Sequence, residues 1–259
     1  GTEYEFTAVP VVPDALLRQL LWQSCAGAIL TSASLTALGS FDRYRAQVGM
    51  PAGSTCSALP SPFNHQQAAA LVVPAEAVDP ADSDAHTAML CDVLPAISSP
   101  DQGTLVLFTS RRQMQAVYES VPASYQGRVL NQDMWTRQEI LRRHRQAIDD
   151  GRSSVIFGLA SFAEGIDLPG QQLEQVVIVG PGLPQVNDVN NAIRQLMDDQ
   201  QHPGFEFAYL FPGLQKVRQA AGRCVRTEQD VGEILLIDDR FRDYWRQGWL
   251  PSFWSITTG

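Results

Sequence analysis

The stretch Gln219–Arg226, QAAGRCVR, carries two arginines and an amide at spacings of four and three residues. On a helix those spacings bring Gln219, Arg223 and Arg226 to one face. Two guanidiniums beside an amide suit a transferring phosphoryl group, whose developing negative charge an arginine stabilises. Gly222 removes a side chain next to Arg223 and lets another surface approach. Pro212 and Gly213 mark the expected helix start. An exposed helix face pairing with Glu228 or Asp230 would have the same pattern, so this segment alone leaves both readings open. A second segment, FGLASFAEGIDLPG from Phe157 to Gly170, runs from an apolar strand into a turn holding Ser161, Glu164, Gly165, Asp167 and Gly170. Small, polar and acidic groups at a strand's carboxyl end stand where open α/β sheets bind ligands. The Ser161 hydroxyl and nearby backbone N–H groups can hold a nucleic-acid phosphate. Glu164 and Asp167 can accept from ribose hydroxyls or order the arginines; a simple capping loop is the plainer alternative.

Upstream, LVLFTS (Leu105–Ser110) ends with Thr109 and Ser110 at an expected helix N-terminus, a place for phosphate, and Arg111 and Arg112 follow. ILTSASL (Ile29–Leu35) reads as a strand ending in hydroxyl residues. Strands are expected near Ala28–Thr31, Leu71–Val73, Thr104–Phe108, Arg128–Leu130, Val155–Leu159, Val176–Val179 and Glu233–Ile237. Runs such as VIFGL and ILLI lack polar alternation, as strands covered on both faces do. Helices separate them. Thr136 and Glu139 form a capping box, Ile140, Leu141, His144, Ala147 and Ile148 make one apolar stripe, and Gly151 supplies the stop. Ser110 and Gln113 open another helix, with Met114, Val117 and Tyr118 inward. Strands alternating with helices predict right-handed βαβ units in an open, doubly wound sheet. Residues 51–62 and 79–84 read as surface loops. The tail Asp243–Trp254, with three tryptophans, reads as a segment packed on the sheet.

The chain has 259 residues with 19 Lys+Arg against 28 Asp+Glu, a formal net charge of −9. Such a balance argues against an unspecialised nucleic-acid binder, although a local cationic groove can survive on an acidic body. Lys216 is the sole lysine. Cys25, Cys56, Cys91 and Cys224 are scattered, with no zinc or iron–sulfur spacing; four reduced, mostly buried thiols are expected. His65, His86, His144 and His202 have no metal spacing, and His144 reads as a satisfied core histidine. Arg137, Arg142, Arg143 and Arg145 read as a solvated helix face, with contact to DNA as the alternative. Gly180-Pro-Gly182 lacks the third glycine of a dinucleotide loop. No apolar run approaches the roughly 18 residues of a membrane span, and the N-terminal residues do not read as a signal peptide.

Taken in order, TSASL, SPF (Ser61–Phe63), LVLFTS, GLASFAEGIDLPG and QAAGRCVR closely resemble the DinG/XPD family of superfamily 2 DNA helicases. The resemblance covers about Ala28 to Trp254; its last two motifs are the specific ones, and GPGLPQVND and LLIDDRF are similar to bacterial members. It implies a RecA-like, mostly parallel, doubly wound sheet with helices on both faces. Residues 1–45 would be a remnant or last strand of a first motor lobe plus linker, and residues 46–259 a second motor domain. The implied parent is an ATP-driven 5′-to-3′ DNA unwinding motor in the bacterial cytoplasm, associated with the nucleoid. By the same resemblance Arg223 and Arg226 would contact nucleotide phosphates across an inter-lobe cleft, and Gln219, Glu164, Gly165 and Asp167 would link nucleotide state to closure. Thr109, Ser110, Arg111 and Ser161 would lie on the single-stranded DNA track, and Thr31, Ser32 and Ser34 would couple the lobes. Ser34 and Cys224 depart slightly from the family pattern. A Walker A loop needs Gly-Lys-[Ser/Thr]; Lys216 follows Gln215, and no Asp-Glu dipeptide exists. ATP with Mg²⁺ would therefore be held mainly by a missing N-terminal lobe, and this chain alone would be inactive. An iron–sulfur cluster would belong to the full-length parent. Single-stranded DNA, ATP and the missing lobe are the implied partners, with no membrane. The alternative is a non-catalytic RecA-like module binding single-stranded DNA or a protein.

Overall fold

The computed structural model describes residues 10–32, 34–36, 39–59, 69–74, 77–78, 80–98, 101–164, 166–224, 231–251, 254 and 256–258. The chain divides into two compact units, Gly1–Leu59 with Pro184–Pro212, and Pro60–Leu183 with Gly213–Gly259.

The second unit holds a seven-stranded sheet: β1 (Ala69–Val73), β2 (Gly103–Phe108), β3 (Val129–Asn131), β4 (Ser154–Leu159), β5 (Gln175–Ile178), β6 (Gly232–Leu236) and β7 (Ile256–Thr258). Their order is β3-β4-β2-β5-β6-β1-β7, and every pairing is parallel. This is the RecA-like α/β sheet that the resemblance implied. β2 and β4 are buried along nearly their whole length, because successive side chains point to opposite faces and helices cover both. On one face Val106, Phe108, Val155, Phe157, Val177, Val179, Leu235 and Ile237 meet Leu90, Leu94, Met114 and Val117. The last four come from helices Ser83–Ile97 and Arg111–Ser120. Phe108 and Phe157 meet edge to face with centroids 4.9 Å apart.

Helix Arg137–Asp149 buries Ile140 and His144. His144 Nδ1 lies 2.9 Å from Ser154 Oγ and Nε2 lies 2.7 Å from the Gln172 carbonyl. It is the satisfied core histidine that its place on the stripe suggested. Burial lowers its pKa, and the bond to Gln172 partly opposes this. Ser110 and Thr136 cap their helices as expected, accepting from the N–H groups of Gln113 and Glu139. The second half of the capping box is replaced: the Glu139 carboxylate accepts from Arg142 and Arg143. Those bonds bring its pKa down to about 2. Gly151 closes the helix at φ +71°.

Several expectations change. Residues 28–31 form no strand; Ile29 is 95% exposed, and a strand without a neighbour to pair with has no ladder to hold it. Pro212 does not open its helix. Helical structure precedes it as a π-helical turn, Glu206–Leu210, followed by the α-helix Phe211–Ala221. Proline inside a helix lacks a donor and crowds the carbonyl four residues back, and a wide turn relieves this. Gly213 serves a close approach: a Cβ there would stand 2.8 Å from the Pro181 carbonyl oxygen. The thiols are less buried than expected, since Cys25 and Cys56 are exposed and Cys224 is buried. Trp254 is buried as anticipated, while Trp245 is exposed. Among the described residues no helix is long and apolar enough to cross a membrane.

In the first unit, Asp14–Leu17 continues into a π-helical turn, Arg18–Trp22, with no buried residue in either. Trp22 Nε1 donates to the Val48 carbonyl at 2.6 Å. Gly49 adopts φ +58°, and a Cβ there would fall 2.3 Å from the Asp14 carbonyl oxygen, so only glycine fits. Arg43 lies 5.5 Å from the centre of the Phe211 ring, and burial lowers its pKa to about 10.

Candidate phosphate and nucleotide-sensing surfaces

Because every pairing is parallel, one edge of the sheet collects all strand ends. At this carboxyl edge, β2 delivers Thr109, Ser110 and Arg111, and β4 delivers Ser161; all four are exposed. Arg111 stands 3.6 Å from Asp133, which follows β3. Next to them the buried Asp238, following β6, grips Arg240: Nε to Oδ1 is 3.0 Å and a terminal nitrogen to Oδ2 is 2.7 Å. Gly180, following β5, fits between, since its Cβ would meet Thr109 Cγ2 at 3.0 Å and Asp238 Oδ2 at 3.2 Å. The Asp238–Arg240 pair was assigned no role from sequence. The signal that could have found it is an acid-x-base triplet directly after a buried strand.

Arg223 occupies the opposite edge. Helix Phe211–Ala221 begins beside Pro181, after β5, and leads back to the start of β6, where a Cβ on Gly232 would touch Cys224. The helix ends at Ala221, so Arg223 sits in the following turn rather than on the helix face with Gln219. Gly222 faces only its own helix's carbonyls, 3.4 Å or more from a Cβ, and no other part of the described chain needs its lack of a side chain. Gln219 is exposed on the last helical turn. Arg226 and Gly165 lie outside the described residues.

The segment 160–168 joins the two edges. After the short helix Ala160–Ala163, Ile166 and Leu168 are buried pegs, both 1% exposed, while Glu164 and Asp167 are exposed. Arg223 donates to the Ile166 carbonyl at 3.3 Å. Sequence reasoning put these two motifs on the same site, and this contact brings them together. Two more arginines reach the same loop. Arg137 donates to the Glu164 carbonyl and lies over the Phe162 ring, and Arg145 donates to the Asp167 carbonyl at 2.9 Å. Arg137, Arg142 and Arg145 are exposed, as a solvated face requires, while Arg143 is half-buried over the Trp135 ring; Arg142 pairs with Glu139 on its own helix, and Arg137 and Arg145 also reach across to the loop. A backbone with no regular partner needs donors for its carbonyls, and these guanidiniums supply them.

Thr31, Ser32 and Ser34 belong to the first unit, where the Ser32 and Ser34 hydroxyls lie 3.2 Å apart. A cavity of about 520 Å³ in that unit is lined by Trp22, Cys25, Ile29, Leu30, Phe41 and Tyr44. Its lining is mainly apolar, with the hydroxyl residues Ser54, Thr55 and Ser57 and no arginine, lysine or histidine. Among the described residues no three His, Cys, Asp or Glu side chains gather as metal ligands.

The parallel RecA-like sheet carries hydroxyls and Arg111 at one edge and Arg223 at the other. The helicase C-terminal domain model matches residues 93–255. The chain belongs to that family, and it is a C-terminal helicase domain of the DinG/XPD type. It is 34% identical over 245 residues to the ATP-dependent DNA helicase DinG of Photobacterium profundum, covering 92% of this chain and 35% of that protein. DinG of Escherichia coli K12 is also 34% identical, over 243 residues, with 91% and 34% covered. The chain thus spans about a third of the length of these relatives. Among solved structures it is similar to XPD in its apo form, with a TM-score of 0.58 and 21% identity over 74% of this chain and 40% of that one. A second XPD helicase matches with a TM-score of 0.57 and 22% identity, covering 74% and 35%.

Proposed function

We propose that this domain is the C-terminal motor lobe of an ATP-dependent 5′-to-3′ DNA helicase of bacterial cytoplasm. Its arginines Arg223 and Arg226 complete an ATP–Mg²⁺ site whose Walker loop belongs to an N-terminal lobe. The carrying observation is the bond from Arg223 to the Ile166 carbonyl, which ties a nucleotide-sensing arginine to the loop leading from Ser161. Thr109, Ser110, Arg111 and Ser161 form the single-stranded DNA track on the carboxyl edge. Glu164, Gly165, Asp167 and Gln219 relay nucleotide state. Residues 1–45 are a remnant or last strand of the first lobe plus linker, with Thr31, Ser32 and Ser34 coupling the two; residues 27–31 form no helix or strand within this chain and Ile29 is 95% exposed, which supports a segment completed by another lobe. The lobe positions and senses the nucleotide; the magnesium-bound phosphates supply the transferable group. A separate reading, a RecA-like module that binds single-stranded DNA without turnover, shares the track.

Titration of this chain with single-stranded DNA at several salt concentrations tests the track. Phosphate contacts give a log–log slope of about −0.7 per contact, so Arg111→Ala is expected to flatten the slope by roughly that amount. No measurable binding, or an unchanged slope, removes Arg111 from the track.

A further inference from the structure

Loop 164–168 has one arginine from the turn before β6 and two from helix Arg137–Asp149 on its carbonyls. That helix starts after β3, at the DNA-facing edge, and ends beside Ser154, where β4 begins. Its first arginine grips Glu164, near the carboxyl edge, and Arg145, eight residues on, grips Asp167, further along. Between them the Ile166 carbonyl faces Arg223. Both grips are on main-chain oxygens, so they set the course of the backbone whatever the carboxylates of Glu164 and Asp167 do. The helix is tied to the DNA side as well, since Asp133, which pairs with Arg111, lies in the short connection leading into it.

We propose that Arg137 and Arg145 are positioning residues: they hold the carbonyls of Glu164 and Asp167 so that the Ile166 carbonyl between them aims Arg223 at the nucleotide. This rests on the reading of Arg223 as a nucleotide-contacting arginine. Arg137 and Arg145 touch no substrate and act only through the loop. A guanidinium spans to a carbonyl with fixed fork geometry, while a lysine ammonium can still supply one donor. Partial rescue by lysine is therefore part of the assignment. Arg142, which among the described residues bonds to Glu139 on its own helix, is the internal control.

The test has two arms. In this chain, hydrogen exchange of the backbone amides in 161–168 is measured for Arg145→Ala, Arg145→Lys, Arg137→Ala and Arg142→Ala. Faster exchange confined to that segment is expected for the two loop-gripping alanine variants, an intermediate rate for lysine, and no change for Arg142→Ala. In the protein carrying both lobes, DNA-stimulated ATP turnover is measured for the same variants. Misaiming an interaction made only in the transition state lowers kcat with KM nearly unchanged. Arg145→Ala is expected to lower kcat about tenfold with KM for ATP within about twofold, and Arg145→Lys to recover part of it. Unchanged exchange in 161–168 overturns the positioning role in either setting. A changed exchange with unaltered kcat overturns the link to Arg223. A wild-type protein that lacks DNA-stimulated turnover removes the helicase reading itself, and the kinetic role falls with it.

Discussion

Replacing either member of the Asp238–Arg240 pair should unfold the carboxyl edge by amounts that the two burials rank in advance. Asp238 is fully buried and accepts four bonds from Arg240, three from its side-chain nitrogens (Nε reaching both carboxylate oxygens) and one from its backbone N–H at 3.0 Å. The Arg240 side chain is 36% exposed. Unit charges about 4 Å apart attract by about 4 kcal/mol at an effective dielectric near 20. That is the upper bound for the pair. In Asp238→Asn the shape and one acceptor survive, and the released guanidinium regains water over its exposed third. The expected loss is about 2 kcal/mol. In Arg240→Ala the group left behind is a carboxylate with no exposed surface, and one-sided removal from a buried pair costs about 3–5 kcal/mol. The loss should sit near the low end, about 3 kcal/mol, because the backbone N–H of residue 240 still donates. Urea titration followed by far-ultraviolet circular dichroism measures both. A greater cost for Asp238→Asn than for Arg240→Ala, or a cost below about 0.5 kcal/mol for both, would contradict a buried carboxylate that depends on its guanidinium.

Two further outcomes follow from local geometry. Gly213→Ala gains about 1 kcal/mol of helix propensity but sets a Cβ 2.8 Å from the Pro181 carbonyl oxygen, and such crowding costs about 1–3 kcal/mol; thermal denaturation is expected to show net destabilisation, and a stabilised variant would mean that the 181–183 loop yields freely. His144 is held neutral, with its folded pKa below the unfolded value near 6.5. Its contribution is therefore complete above about pH 6.5 and is lost as pH falls towards the folded value. Urea titrations at about pH 7.5 and about pH 5.5 should show a larger stability drop for wild type than for His144→Gln, and equal drops would contradict the buried neutral imidazole.

The sheet was legible in the sequence wherever a strand is an apolar run without polar alternation: β1 to β6 fall within about two residues of the expected strands, and β2, β4 and β5 are buried along nearly their whole length. β7 escaped, since Ile256–Thr258 is too short for any periodicity to show. Helix Ser83–Ile97 was obscured as well. Its start, Asp82–Asp84, has the composition of a loop, and Pro95 lies in its last turn. Residues 28–31 show the reverse failure, since a strand-like run becomes a strand only when a neighbour completes its ladder. Residue types singled out Arg223 and the 157–170 segment as candidates, because each pattern is local, and the structure joins them through the Ile166 carbonyl. What no local pattern could show is that Arg137 and Arg145 turn from their own helix to carbonyls more than twenty residues away, while Arg142 and Arg143 stay with Glu139. That choice depends on where the loop after β4 passes, a property of the folded sheet.

The most direct measurement is DNA-stimulated ATP hydrolysis by the two-lobed protein carrying Arg223→Ala or Arg226→Ala, with single-stranded DNA affinity measured alongside. Loss of an arginine finger lowers turnover by about a thousandfold or more, and the account predicts that loss with DNA affinity within about threefold of wild type. Turnover near wild type in both variants would contradict it.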